Sequence, residues 1–196
     1  MRRAIILALA VAALASSAGC VNTQLVNVWS DPAARGSVRF THVMALVISK
    51  DQVIQRVGED ALVAQFQGTR ATAAYRLISN EDLRNRERAN QSLKAVGIDG
   101  VVTMRLVNST RMTTWLPGAY PTFWGYYGWA YPMVYSPGYL VTDQVVRLET
   151  DVYDLKDDKL VWAGMSDTFN PASTQSLVTE VSKSVVTQLK QLGFVQ

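Results

Sequence analysis

Few residues in this chain are equipped for covalent or acid–base chemistry. Cys20 is the only cysteine and His42 the only histidine among 196 residues. That excludes an internal disulfide and any structural zinc site built from several thiolates and imidazoles. The Cys20 thiol is still a nucleophile, able to take a diacylglycerol group. The small residues before it, Ala15-Ser16-Ser17-Ala18-Gly19, let an extended backbone enter a peptidase cleft. His42 is the one candidate imidazole base, but it precedes an apolar run, and no nucleophile accompanies it at a known spacing. A hydrogen-bonded structural role is expected. Asp143, Glu149, Asp151 and Asp154 could supply paired carboxylates for sugar hydrolysis. Glu149 and Asp151 fall on the outward face of a strand, however, where charges are ordinarily solvated. Asp154, Asp157 and Asp158 gather at a turn without the glycine and distal glutamate of a calcium loop. Phosphate-cradling and nucleophile-elbow glycine patterns are absent from the sequence. The expectation is a non-enzymatic protein without cofactor or metal.

The setting of Cys20 has three zones. Arg2 and Arg3 give a cationic start, Ala4 to Leu14 is apolar throughout, and small residues follow. The apolar stretch is short for a permanent membrane helix. Ser17-Ala18-Gly19-Cys20 resembles the lipobox of bacterial lipoprotein signal peptides, departing from it at Ser17, where leucine is usual. The competing reading is cleavage after Ala18 by the ordinary signal peptidase, since Ser16-x-Ala18 fits its small-x-small site. The only cysteine stands at the one position lipidation requires, which decides for Cys20. The resemblance implies several fatty-acyl chains of the palmitate type, enough for durable attachment where one chain binds marginally. It also implies an outer-membrane address, because residue 21 is Val rather than the Asp of inner-membrane retention.

Composition agrees with a folded domain rather than a disordered chain. The chain is 48% hydrophobic and 18% charged. Its net charge is +3, but Arg2 and Arg3 belong to the leader; removing them leaves 17 of the 19 basic residues against 16 acidic ones, or +1. Nucleic-acid binding needs a basic field that such a domain lacks.

Periodicity places the elements. Residues 20–41 read as a lipid-anchored N-terminus and tether with one short strand, Leu25 to Trp29. Val43 to Ile48 is apolar on both faces, as in a strand covered from both sides. A helix is expected over about Gln52 to Phe66, with Val53, Ile54, Val57, Ala61, Leu62 and Phe66 on its buried face. Thr72 to Ile78 reads as a strand. Ser79 and Asp82 form a capping box for a half-exposed helix ending near Val96 and Gly97. Gly100 to Asn108 is a strand, and this alternation implies parallel pairing through right-handed crossovers. Gln144 to Asp154 alternates Val146, Leu148, Thr150 and Val152 against Val145, Arg147, Glu149 and Asp151. After Lys156-Asp157-Asp158-Lys159, Leu160 to Ser166 pairs back as a hairpin. Asn170-Pro171 opens a last helix with the stripe Leu177, Val178, Val181, Val185, Leu189 and Leu192, closed by Gly193. The fold class is α/β: a mixed sheet with three helices in a single domain, residues 42–196, behind a 1–19 signal peptide.

One segment departs from this grammar. No charged residue occurs between Arg111 and Asp143, and these 31 positions hold 10 of the chain's 18 aromatic residues. Pro117, Pro121, Pro132 and Pro137 interrupt helix and strand ladder alike. Residues 112–142 are expected to form a long loop or irregular hairpin. Three roles compete: rings stacked on one another and the domain edge, a contact surface for a protein partner or for self-association, or insertion into the lipid interface or stacking on envelope sugars. Trp124, Tyr126, Tyr127, Trp129 and Tyr131 are the candidate contact residues.

Cys20, the Val28-Trp29-Ser30-Asp31-Pro32 entry, the aromatic Gly/Tyr/Trp excursion and the Lys159-Leu160-Val161-Trp162-Ala163-Gly164 strand resemble small outer-membrane lipoproteins of Gram-negative bacteria, grouped under a domain of unknown function. The strand–helix alternation is also similar to periplasmic domains of envelope secretion complexes. The resemblance implies location and class: a lipid-anchored, periplasm-facing structural or interaction module. Peptidoglycan or lipopolysaccharide binding is the alternative.

Overall fold

The computed structural model describes residues 23–116 and 139–196. Its strands are β1 (Thr23–Ser30), β2 (His42–Ile48), β3 (Arg70–Ala73), β4 (Gly100–Leu116), β5 (Tyr139–Asp154) and β6 (Lys159–Phe169). Its helices are α1 (Gln52–Val63), α2 (Asn80–Leu83), α3 (Arg86–Ala95) and α4 (Thr174–Gln191), with a 3-10 turn at Ala74–Arg76. The strands form one mixed sheet in the order β1-β6-β5-β4-β2-β3. The expected parallel pairing is present, since β2 runs parallel to both β3 and β4. The other pairings, β4–β5, β5–β6 and β1–β6, are antiparallel. The α/β class with a mixed sheet is therefore observed.

The main core lies between one face of the sheet and helices α1 and α4. Val43, Val102, Val152 and Trp162 from the strands meet Leu62, Val181, Val185 and Leu189 from the helices, all buried. The alternation along β5 sorts as its sequence demands, with Val146, Leu148, Thr150 and Val152 turned inward. Trp162 is fully enclosed, and its ring lies over Gly164: a Cβ there would stand 2.3 Å from the indole Cη2. A smaller core on the opposite face joins Met44 and Val101 to Ala89 and Leu93 of α3.

Several boundaries differ from the sequence expectation, each for a local reason. The short strand expected at Leu25 to Trp29 is present and longer, Thr23–Ser30, and it belongs to the sheet: β1 pairs along β6 from Thr23↔Thr168 to Ser30↔Trp162. Ala34 and Phe40, also within the expected tether, are buried in the main core. The single helix expected after Ser79 is two. Ser79 caps α2 by accepting from Asp82 N at 3.0 Å, and Asn85 caps α3 anew by accepting from Arg88 N at 3.1 Å. Asparagine competes with the helix for its own backbone donors and so reads as a fresh start. The last helix begins later than Asn170-Pro171. Ser173 and Ser176 form its capping box, while Asn170 takes φ 48° and clasps the neighbouring strand. Its Oδ1 accepts from Gln144 N at 2.8 Å, and its Nδ2 donates to Asp143 Oδ1 at 2.7 Å.

β3 is shorter than expected, and a buried acid explains why. Its ladder with β2 stops at Ala45↔Ala73, where the chain turns into the 3-10 segment. Two residues beyond the last pair, Glu59 of α1 inserts its carboxylate between the two chains. It accepts from Val47 N at 3.3 Å, from Tyr75 N at 2.9 Å and from Gln55 Nε2 at 3.0 Å. Glu59 is 0% exposed. The carboxylate thus replaces the ladder partners that these amides would otherwise have had.

Candidate interaction surface

The sheet has two unlike ends. One end collects the C-terminus of β2, the start of α1, the C-terminus of β6, the start of α4 and the start of β1. There β4 and β5 also outrun their neighbours. β2 stops pairing with β4 at Ile48↔Arg105, and β6 stops pairing with β5 at Phe169↔Val145. From there to Leu116↔Tyr139, β4 and β5 continue as a two-stranded ribbon, with an irregularity between Leu106 and Asn108. A two-stranded ribbon gains little burial of its own and offers edges for further pairing. Residues 117–138 join its two strands. The contact residues expected there, Trp124, Tyr126, Tyr127, Trp129 and Tyr131, lie outside the described residues, as do Cys20 and the 1–19 leader.

At the foot of the ribbon is a groove of about 260 Å³, lined chiefly by apolar side chains of β2, α1, β4, β5 and α4. Ile48, Ile54, Leu106 and Leu177 are among them. Ile48 and Leu106 are each 57% exposed and Ile54 38%; Val53 and Val57 on α1, Val107 and Phe169 are exposed as well. The expectation for α1 holds in its second half, where Ala61, Leu62 and the following Phe66 are buried, and fails in its first. Its buried residues are Gln55, Gly58, Glu59, Ala61 and Leu62, whereas Val53, Ile54 and Val57 point outward. The sequence did carry the signal. At ~100° per residue, Leu62 sits about 180° round the helix from Val53, so the two cannot share one face. The Gln55–Glu59 pair, four residues apart, marks the side that turns inward.

The second uncovered surface is the outer face of β5, β6 and β1. Arg105 pairs with Glu149 across β4 and β5. Arg147 grips Asp167 with two hydrogen bonds of 2.6 Å, Nε to Oδ1 and Nη2 to Oδ2. That guanidinium holds the Asp167 carboxyl below its ordinary range. Burial, with Glu149 beside it, pushes the Asp151 carboxyl up; burial and the two acids raise the Tyr153 hydroxyl too. Glu149 and Asp151, expected to be plainly solvated, are therefore half-buried and partnered. They border a shallow groove with Asn27, Trp29, Ala163 and Met165, in which Trp29 is 48% exposed.

The remaining chemistry-bearing residues are held by hydrogen bonds and ion pairs. His42 is buried, with Nε2 2.9 Å from Thr72 Oγ1, and burial, aided by Arg70, lowers its pKa. Asp154 accepts from Lys156 N at 2.8 Å in the β5–β6 turn, and Asp158, at φ 54°, pairs with Arg86 at 2.6 Å. Asp143 is held by Asn170. Among the described residues, no three His, Cys, Asp or Glu side chains gather as a metal site. Nor is any described helix long and apolar enough to cross a membrane.

No family model matches the chain, and no curated protein matches it significantly. Solved structures give resemblances at low identity. The PelC dodecamer from Paraburkholderia phytofirmans is 13% identical over 89% of this chain and 99% of its own, with a TM-score of 0.47. Lipoprotein GNA1162 from Neisseria meningitidis is 14% identical, covering 77% and 99%, at 0.39. A minor lipoprotein from Acinetobacter baumannii is 9% identical, covering 77% and 93%, at 0.32. At such scores no property of those proteins carries over to this chain.

Proposed function

We propose that this chain is a lipoprotein of the bacterial cell envelope, acylated at Cys20, held on the periplasmic side of the outer membrane, and working as a non-enzymatic contact module for a protein partner or for its own copies. The observation that carries the reading is the β4–β5 ribbon. It extends beyond the six-stranded sheet, and its strands are joined by a sequence with no charge and a concentration of Tyr and Trp. Those side chains give large contact area for little conformational entropy and dominate binding hot spots. Crosslinking in intact cells tests it. Replacing Trp124, Tyr126, Tyr127 and Trp129 by Ser is expected to remove the crosslinks to envelope proteins or to sister copies while the domain stays folded; retention of the parent's crosslinks rejects the reading.

A second reading rests on the groove beside Trp29. An exposed indole flanked by Asn27, Glu149 and Asp151 suits stacking and hydrogen bonding to a sugar ring, as in a peptidoglycan or lipopolysaccharide binder. Retention of the soluble domain on purified cell wall, lost in Trp29→Ala, supports it; absence of retention removes it.

A further inference from the structure

The end of the domain that carries the apolar groove is also the end from which the N-terminus leaves. Thr23 opens β1 opposite Thr168 at the C-terminal end of β6, beside Phe169. It is pinned there: Thr23 Oγ1 lies 2.8 Å from Thr168 Oγ1 and donates to Glu180 Oε2 at 3.0 Å. Only Val21 and Asn22 separate this fixed point from Cys20. Three residue steps span at most about 10 Å. An acylated Cys20 therefore leaves the sheet no linker: Thr23 stands within that distance of the membrane surface, and the sheet end that it opens is turned toward the bilayer.

The side chains on this end suit such a neighbour. Ile48, Val53, Ile54, Leu106, Val107 and Phe169 are all exposed here, an arrangement costly in open water. Lys50 and Arg111 are exposed beside them. The nearby acids are engaged: Asp51 caps α1 by accepting from Val53 N at 2.7 Å, and Asp143 accepts from Asn170. The opposite end instead presents the polar turn Lys156-Asp157-Asp158-Lys159.

We propose that the exposed apolar end of the sheet, Ile48, Val53, Ile54, Leu106, Val107 and Phe169, is a lipid-docking surface, seated on the bilayer to which Cys20 is anchored, with Lys50 and Arg111 facing anionic headgroups. This rests on the anchoring part of the proposed function and adds an orientation to it; because the β4–β5 ribbon leaves from the same end, that orientation brings the ribbon to the bilayer too, in place of a partner deeper in the periplasm. Acyl chains supply the attachment; the apolar end sets the tilt of the domain on the bilayer. Residues of this kind settle at the boundary between headgroups and acyl chains, where Lys and Arg add attraction to anionic lipid.

The test uses the acylated full-length protein in vesicles of phosphatidylethanolamine and phosphatidylglycerol containing brominated acyl chains. A fluorophore is placed at Ile54→Cys or Leu106→Cys and, separately, at Asp157→Cys on the far end. Quenching at either apolar position is expected to exceed that at Asp157→Cys by about threefold or more, because only the former reaches the acyl boundary. Equal quenching at both ends, with Cys20 acylated by mass, overturns the docking surface and leaves the anchor intact; it is also the result if a second copy or a protein covers the groove. Protein recovered without acyl groups overturns the anchor, and this orientation with it.

Discussion

Glu59 offers the sharpest test of how the fold holds the groove in place. Its carboxylate sits where β2 and the 3-10 turn part, accepting from the amides of Val47 and Tyr75 and from Gln55. At 0% exposure, no water replaces it readily. Glu59→Ala strands two backbone donors, each costing about 1–3 kcal/mol when left unsatisfied in the interior. A small cavity adds to this, while relief of carboxylate desolvation subtracts. The net expectation is a loss of about 3–5 kcal/mol. Glu59→Gln keeps one acceptor oxygen but turns an NH2 toward a donor, so about 1–2 kcal/mol is expected. Urea unfolding of residues 21–196, followed by far-ultraviolet circular dichroism, reads both values, and unchanged m-values keep the comparison valid. If Glu59→Ala falls within about 1 kcal/mol of the parent, the amides have other partners and the reasoning is wrong.

Two further outcomes follow from the packing and the titrations. Gly164→Ala places a methyl 2.3 Å from the enclosed Trp162 ring; overpacking of about 1–3 kcal/mol is expected, seen as a melting temperature lower by roughly 2–4 °C per kcal/mol in a chain of this size. An unchanged melting temperature contradicts the observed ring position. His42 has a folded pKa below its ordinary 6.5, so the unfolded chain binds its proton more readily. Its contribution to stability is complete above pH 6.5 and is lost as pH falls through the folded value. Melting temperatures recorded from pH 7.5 to 5 are expected to decline less steeply in His42→Gln than in the parent; parallel profiles refute the assignment.

How much the sequence disclosed depended on whether one residue's neighbours along the chain settled its position. Period-two alternation placed β5 with Val146 to Val152 inward, and period 3.6 placed the α4 stripe from Leu177 to Leu189, because burial there repeats regularly. Tertiary effects stayed hidden. β3 is cut short by Glu59, which arrives from another element, and β1 is a sheet strand because β6 offers an edge 145 residues away in sequence, as in Thr23↔Thr168. The apolar residues of α1 were counted toward one face although their angular positions span the helix, and so the exposed patch was missed. The hydrogen bond expected for His42 is found, to Thr72, and the polar turn expected after β5 is found, with Lys156 N donating to Asp154.

The mass of one peptide tests the lipid anchor most directly. Trypsin acting on protein purified from membranes releases the N-terminal fragment ending at Arg35, since no Lys or Arg lies between Cys20 and that residue. The expected fragment begins at Cys20 and carries a diacylglycerol thioether and an amide-linked fatty acid. A fragment beginning at Gly19, with a free thiol and no lipid, contradicts the anchor and the membrane-facing pose built upon it.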